Sequence, residues 1–210
     1  QLRDCMDRRA GARMTGSALD TPRLLLAPLS PSDAREAYPA FADPALYRWM
    51  VGEPPPDEAA LRTTFERLAA GCPRPDELWL NWLARRRDDE ALVGWHQATV
   101  TGTRADVAWV TFAAHRRCGY AHEGAAAVIA WLAGLGVREI VAQSDVRNEA
   151  SCATASSLGF VPDAGMIPEM LHGEATVDRL WRPRARGRTG AWRRRGVGLK
   201  PDPQVPGPCG

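Results

Sequence analysis

The sequence predicts an α/β (α+β) domain with a mixed, mostly antiparallel central sheet flanked by helices on both faces. Three observations predict it. Between Leu78 and Ala113, three strand-like segments follow one another across connections too short for a crossover, which makes an antiparallel meander. Two helical segments precede the meander. Beyond it, helical and strand-like apolar segments alternate, the order in which helices cover a sheet.

Arg23 to Leu29 (RLLLAPL) is a short apolar run that reads as the first strand, stopped by Pro28 and the turn chemistry of SPSD. Ser30 suits an N-cap with Pro31 at the first helical position, opening a helix to about Phe41. Asp43-Pro44 starts a shorter helical piece carrying Leu46, Tyr47, Trp49 and Met50, and Pro54 to Pro56 break it. Asp57 caps an amphipathic helix with Leu61, Phe65 and Leu68 on one face. Leu78 to Arg85, Ala91 to Thr101 and Asp106 to Ala113 are the meander strands. Tyr120 to Leu135 is an alanine-rich helix ended by Gly134 and Gly136. Glu139 to Gln143 is a buried strand and Asn148 to Leu158 a helix. Gly159-Phe160 leads into another strand, and Glu174 to Trp181 closes the sheet.

A chain of 210 residues holds one domain with a full core and is short for two. Residues 1–20 lack apolar periodicity and are expected to form a disordered extension, with Met14 just before the first patterned segment. They have the character of neither a signal nor a transit peptide, and no apolar run reaches the roughly 18 to 20 residues that span a bilayer. The expected location is cytoplasmic. Five scattered cysteines, with no closely spaced pair, read as reduced thiols and give no metal motif. Eight of the 27 Lys and Arg but one of the 25 Asp and Glu lie in Arg182 to Gly210. The body is therefore mildly acidic, and residues 183–210, rich in Arg, Gly and Pro, are expected to be a disordered basic tail.

The stretch with chemical content is Asp106 to Ala127. A strand runs into Arg116-x-x-Gly119-x-Ala121, which opens a helix. Free backbone N–H groups and the positive end of the helix meet there, which is an anion site. Gly119 lets a phosphate approach the backbone, Ala121 keeps the next position small, and Arg116 and Arg117 add charge. A diphosphate suits such a turn. The loop is neither a P-loop nor a dinucleotide fingerprint, because Gly-Lys-Ser/Thr and G-x-G-x-x-G are both missing.

Arg116-Arg117-Cys118-Gly119-Tyr120-Ala121 resembles the Q/R-x-x-G-x-G/A hallmark of the GNAT superfamily of N-acetyltransferases. Gly119-Tyr120-Ala121-x-Glu123 is similar to the G-Y-A-x-E of its Rim-like branch, which contains ribosomal-protein N-terminal acetyltransferases. Thr21-Pro22-Arg23-Leu24 resembles the T-x-R-L opening of that branch, and Asn148-x-x-Ser151 with Leu158-Gly159-Phe160 its N-x-x-S…L-G-F segment. The resemblance spans roughly Thr21 to Trp181 and implies an acyltransferase domain over residues 21–182. It implies acetyl-CoA as co-substrate, its diphosphate on the amides of about Arg117, Cys118, Gly119, Tyr120, Ala121 and His122, with Arg116 beside them. It also implies pantetheine lying along the strand before the loop, with the thioester carbonyl at a backbone N–H of Val110, Thr111 or Phe112.

The same resemblance places Asp106 where the branch carries a carboxylate that takes the amine proton; a turn aspartate at a strand start is the bland alternative. His96 and Gln97 are further candidates to face the cleft. The tyrosine that many members use to protonate the thiolate is replaced by Ala155, which nominates Ser151 of N-x-x-S. Asn148 contacts pantetheine or simply caps its helix. Cys118, near His115 and His122, is a weaker nucleophile candidate, and Glu123 reads as support for the loop. The function implied is acetyl transfer from acetyl-CoA to a primary amine (a protein N-terminus, amino acid or small amine) by direct attack in a ternary complex. The expected protein is a monomer or homodimer without membrane, metal or nucleic-acid partner. The alternatives are a non-catalytic acyl-CoA-binding domain and nucleic-acid binding through the basic tail.

Overall fold

The computed structural model describes residues 16–184. Eight strands form one sheet: β1 (Leu19–Asp20), β2 (Leu24–Pro28), β3 (Glu77–Arg86), β4 (Leu92–Thr101), β5 (Arg104–Thr111), β6 (Glu139–Asp145), β7 (Phe160–Leu171) and β8 (Glu174–Pro183). Their spatial order is β1-β2-β3-β4-β5-β6-β8-β7. Every neighbouring pair is antiparallel except β5 and β6. Four α-helices complete the domain: α1 (Ala34–Phe41), α2 (Glu58–Ala70), α3 (Tyr120–Gly134) and α4 (Glu149–Ser157). The α+β class, with a mostly antiparallel sheet and helices on both faces, is the one expected.

Local signals explain most boundaries. Ser30 is the N-cap expected, and Asp33 completes a capping box with it, opening a 3-10 turn that runs into α1. Asp57 accepts from Ala60 N–H at 2.8 Å at the start of α2. The strand expected to run to Ala113 stops at Thr111, because Ala113–His115 winds into a 3-10 turn. Within the extension expected over 1–20, Leu19–Asp20 form β1 on β2. Just before it, the Ser17 carbonyl accepts from Trp82 Nε1 at 2.9 Å. Residues 1–15 and 185–210, including nearly all of the basic tail, lie outside the described residues. Strand β7 carries Pro162 and Pro168 and forms one margin of the sheet, where a missing N–H costs no ladder bond.

The sheet divides the core in two. On one face α3 and α4 bury Val128, Ile129, Leu132 and Ala155 against Trp82, Val107 and Trp181. On the other, α1 and α2 bury Phe41, Leu61 and Phe65 against Leu83, Trp95 and Phe112. Phe41 sits at the centre of that second core, with its ring 5.4 Å from Phe65, 5.4 Å from Trp95 and 5.6 Å from Phe112. Helix α3 lies close on the sheet because position 124 is glycine: a Cβ there would meet His96 Nε2 at 2.3 Å.

Gly124→Ala therefore sets two effects against each other. Alanine gains about 1 kcal/mol of helix propensity, whereas overpacking a closed core costs about 1–3 kcal/mol. His96 is fully buried, so the steric cost prevails and urea denaturation should show a less stable protein. In a His96→Ala background the same change should become neutral or stabilising.

Candidate active site

Strands β5 and β6 are paired over only four residues, Arg104 to Val107 against Glu139 to Ala142. Beyond them β5 stays on β4 as far as Thr111, while β6 stays on β8 as far as Asp145. A gap opens between the two strands at their carboxyl ends, the usual ligand crevice of an open α/β sheet. The antiparallel ladder fixes which amides enter it. Phe112 N–H donates to the Val93 carbonyl at 3.0 Å, so by alternation Val110 also points toward β4, whereas Trp109 and Thr111 turn their N–H groups toward the gap. Of Val110, Thr111 and Phe112, only Thr111 offers its amide there; Phe112, committed to Val93, does not.

The connection from β5 into α3 lies at the same end. Arg117 and Gly119 are both left-handed, with φ of 63° and 78°. Glycine takes the second value without strain. Gly119 occupies the N-cap position, and no side chain caps α3. The first helical bond runs from Glu123 N–H to the Gly119 carbonyl at 3.1 Å, which leaves the N–H groups of Tyr120, Ala121 and His122 without helical partners. Arg116 reaches across to the Ala45 carbonyl at 3.4 Å, and Arg117 is exposed. Cys118 packs against the core and directs its thiol at the Arg116 carbonyl at 3.6 Å. Nδ1 of His122 bonds Ser157 Oγ at 2.8 Å, linking α3 to α4.

Two segments 100 residues apart hold this loop. Glu123 accepts from Thr21 Oγ1 at 2.6 Å, from Arg23 N–H at 2.8 Å and from Arg23 Nε at 2.7 Å. Arg23 also donates to the Cys118 carbonyl at 3.0 Å and lies over the Tyr120 ring at 4.9 Å. Burial would raise the Glu123 carboxyl, but these bonds to Thr21 and Arg23 outweigh it and leave the group below its ordinary value. Glu123 is thus the loop support expected, and Arg23 is the partner that the sequence did not identify.

Asp106 is exposed on the α1/α2 face of β5, in a two-pronged ion pair with Arg104 at 2.9 and 3.2 Å. Asn148 Oδ1 accepts from Ser151 N–H at 3.2 Å, so capping accounts for it, and Ser151 is half-buried on the first turn of α4. His96 does not face the acceptor side: it points beneath α3 and is 1% exposed. Gln97, one residue on, does face the α1/α2 side, where it donates to Asn81 Oδ1 at 3.1 Å.

Sequence reasoning missed a polar group across the gap on that same face. Asp145, 4% exposed, accepts from Arg147 N–H at 2.8 Å, from its guanidinium at 2.7 and 3.0 Å, and from Thr176 Oγ1. Arg147 above all holds this carboxyl well below the usual range. Opposite it in register, Asp178 is bonded by Gln143 Nε2 at 2.9 Å. Burial pushes Asp178 up, reinforced by Asp145 and Glu169. Arg147 lies over the Trp49 ring at 5.4 Å, and the His172 ring bonds the Tyr47 carbonyl at 2.8 Å. The β7–β8 turn is thereby tied to the Pro44–Trp49 segment across the mouth of the gap. Among the described residues there is no cluster of three metal-ligating side chains, and no helix is long and apolar enough to cross a membrane.

The site is therefore a split sheet with an uncapped helix at the head of the split, and comparison places it. The acetyltransferase (GNAT) domain matches residues 23–161, and the chain belongs to that family. No curated protein sequence matches it. Among solved structures it is similar to a GNAT-family acetyltransferase from Bacillus anthracis (TM-score 0.68, 16% identity, 79% of this chain and 97% of the other). It is similar too to the ribosomal L7/L12 alpha-N-protein acetyltransferase RimL, solved with coenzyme A (0.70, 16%, 79% and 97%). A third is the microcin self-immunity acetyltransferase MccE, solved with acetyl-CoA and AMP (0.68, 16%, 77% and 92%). At these identities the likeness is one of fold.

The buried histidine has a measurable consequence. Burial pushes the His96 imidazole down from 6.5 to about 4. Between those values the unfolded chain binds a proton that the folded chain refuses, so stability falls as pH drops from 6.5 toward 4. The slope should reach at most about 1.4 kcal/mol per pH unit. Melting temperature against pH should show this loss, and His96→Gln should flatten it.

Proposed function

We propose that the chain is an N-acetyltransferase that moves an acetyl group from acetyl-CoA to a primary amine by direct attack in a ternary complex. The observation that carries this is the uncapped, glycine-opened N-terminus of α3 at the head of the β5–β6 gap. Its free amides and helix dipole suit a diphosphate. The open edge of β5 suits an extended, amide-bearing arm that pairs with backbone. On this reading the amides of residues 117–122 hold the diphosphate, with Arg116 and Arg117 adding positive charge. Asn148 borders the pantetheine end.

Acetyl-CoA supplies an activated acyl thioester. The Thr111 N–H is the donor that polarises the carbonyl, as an oxyanion-hole amide does. The amine nitrogen bonds the carbonyl carbon as the carbon–sulfur bond breaks, and two protons must then be managed. Asp106 is the proposed acceptor of the amine proton, through water, and Ser151 the proposed donor to the departing thiolate. A second carboxyl, Asp178, shares the α1/α2 face with Asp106, and its raised pKa suits the base role. The carboxylates of this face favour a cationic amine before its deprotonation.

Calorimetry tests the cofactor. Wild type should bind acetyl-CoA at micromolar Kd. Gly119→Glu should weaken binding at least tenfold, while Gly119→Asn, which tolerates the left-handed backbone and adds no charge, should weaken it less. No binding by a folded wild-type protein would end this reading.

Thiol release with an amine panel tests the proton donors and acceptors. Asp106→Asn and Asp178→Asn should separate: the base lowers kcat about 100-fold or more and removes the acidic limb of the pH profile, while the other leaves both unchanged. Ser151→Ala should lower kcat without changing acetyl-CoA affinity. Turnover untouched by all three would remove these residues from the proton transfers, and acetyl-CoA binding without any turnover would favour an acyl-CoA-binding domain.

A further inference from the structure

On the α1/α2 face a cavity of about 160 Å³ opens between α2 and strands β3 and β4, lined by Arg67, Trp79, Asn81, Gln97 and Thr99 among others. Asn81 is 8% exposed, yet only its Oδ1 is engaged, accepting from Trp95 Nε1 at 3.2 Å and from Gln97 Nε2 at 3.1 Å. Its amide nitrogen lacks a hydrogen-bond partner among the described residues and remains accessible at the cavity. The oxygen of the Gln97 side chain and the Thr99 hydroxyl are likewise unbonded among the described residues. Arg67, in the last turn of α2, makes no ion pair among them either. No carboxylate lines the cavity, and on neighbouring strand positions Glu77 is paired with Arg74 and Asp106 with Arg104. The cavity therefore presents a cation and an amide donor with no anion of its own.

Register connects this cavity to the gap. Asn81 is opposite Gln97, Gln97 is opposite Ala108, and all three face the same side of the sheet. At Ala108 the side chain is a single methyl group, so β5 forms a low floor between the cavity and the gap. From β3 to the far edge of β5 is two strand spacings, roughly 10 Å.

We propose that this cavity receives the carboxylate of the acetyl acceptor, between Arg67 and the Asn81 amide, while the acceptor's amine lies over Ala108 at the gap. The acceptor class is a short amine that carries a carboxylate about 10 Å away, the span of an extended tripeptide. A guanidinium and an amide donor together recognise a carboxylate and reject its neutral amide, for which the charge-assisted bond is lost. The inference rests on the transfer reading for its amine end only; the carboxylate site stands or falls by itself.

The test is calorimetric titration of the CoA-saturated full chain with trialanine and with trialanine C-terminal amide. Trialanine should bind at least tenfold more tightly than the amide. Arg67→Gln, an exposed position whose replacement should leave the circular dichroism spectrum unchanged, should bring the two within about threefold. Ala108→Leu should abolish binding of both. Equal binding of acid and amide, no binding of either, or a preference unaffected by Arg67→Gln would overturn the proposal. Acetyl-CoA consumption separates the two readings. Trialanine bound through its carboxylate but never acetylated leaves the cavity assignment standing and removes the transfer. Alkylamines acetylated as efficiently as trialanine do the reverse.

Discussion

The divergence of β5 from β6 is the constraint on which the rest of the site depends. Each strand is held on its outer side, β5 by a ladder along its whole length to β4 and β6 by pairing with β8. Between them the two strands pair over only four residues, Arg104 to Val107 against Glu139 to Ala142. Past Val107 the outer pairings prevail. The backbone groups of Trp109 and Thr111 are thereby offered to whatever enters, and the helices that follow both strands begin beside the same opening. The Asp145–Arg147–Thr176 group sits at the end of β6, on the far side of that opening.

A second requirement is that the loop at its head be rigid, and Glu123 meets it from an unexpected direction. The carboxylate lies on the first turn of α3, where it favours the helix dipole, but its bonds go to Thr21 and Arg23 on the approach to β2. Both halves of this lock are visible in the sequence as separate motifs. Their union is a fact of folding, since only the sheet order brings β2 beside the start of α3.

What was legible follows the range of the determining interactions. The order of elements, the Ser30 and Asp57 caps and the glycine-opened loop are set within a few residues, and the structure reproduces them. Strand ends were less legible: nothing in Phe112-Ala113-Ala114 marks a break, so β5 was read two residues too long. His96 was expected as a possible cleft residue because β4 is buried on both faces from Val93 to His96. Such a strand has no alternation from which to read direction. The Asp145–Asp178 pairing and the Asn81–Gln97–Ala108 row depend on cross-strand register between distant segments, and no local pattern encodes it.

The two margins of the sheet carry a consequence for assembly. A free margin is a template on which another chain can continue the ladder. Here one margin is covered by β1, only two residues long, and the other is β7, which lacks N–H donors at Pro162 and Pro168. Among the described residues neither side presents a long, regular row of donors and acceptors. Copies of this protein are thus discouraged from stacking edge to edge into a continuous ribbon.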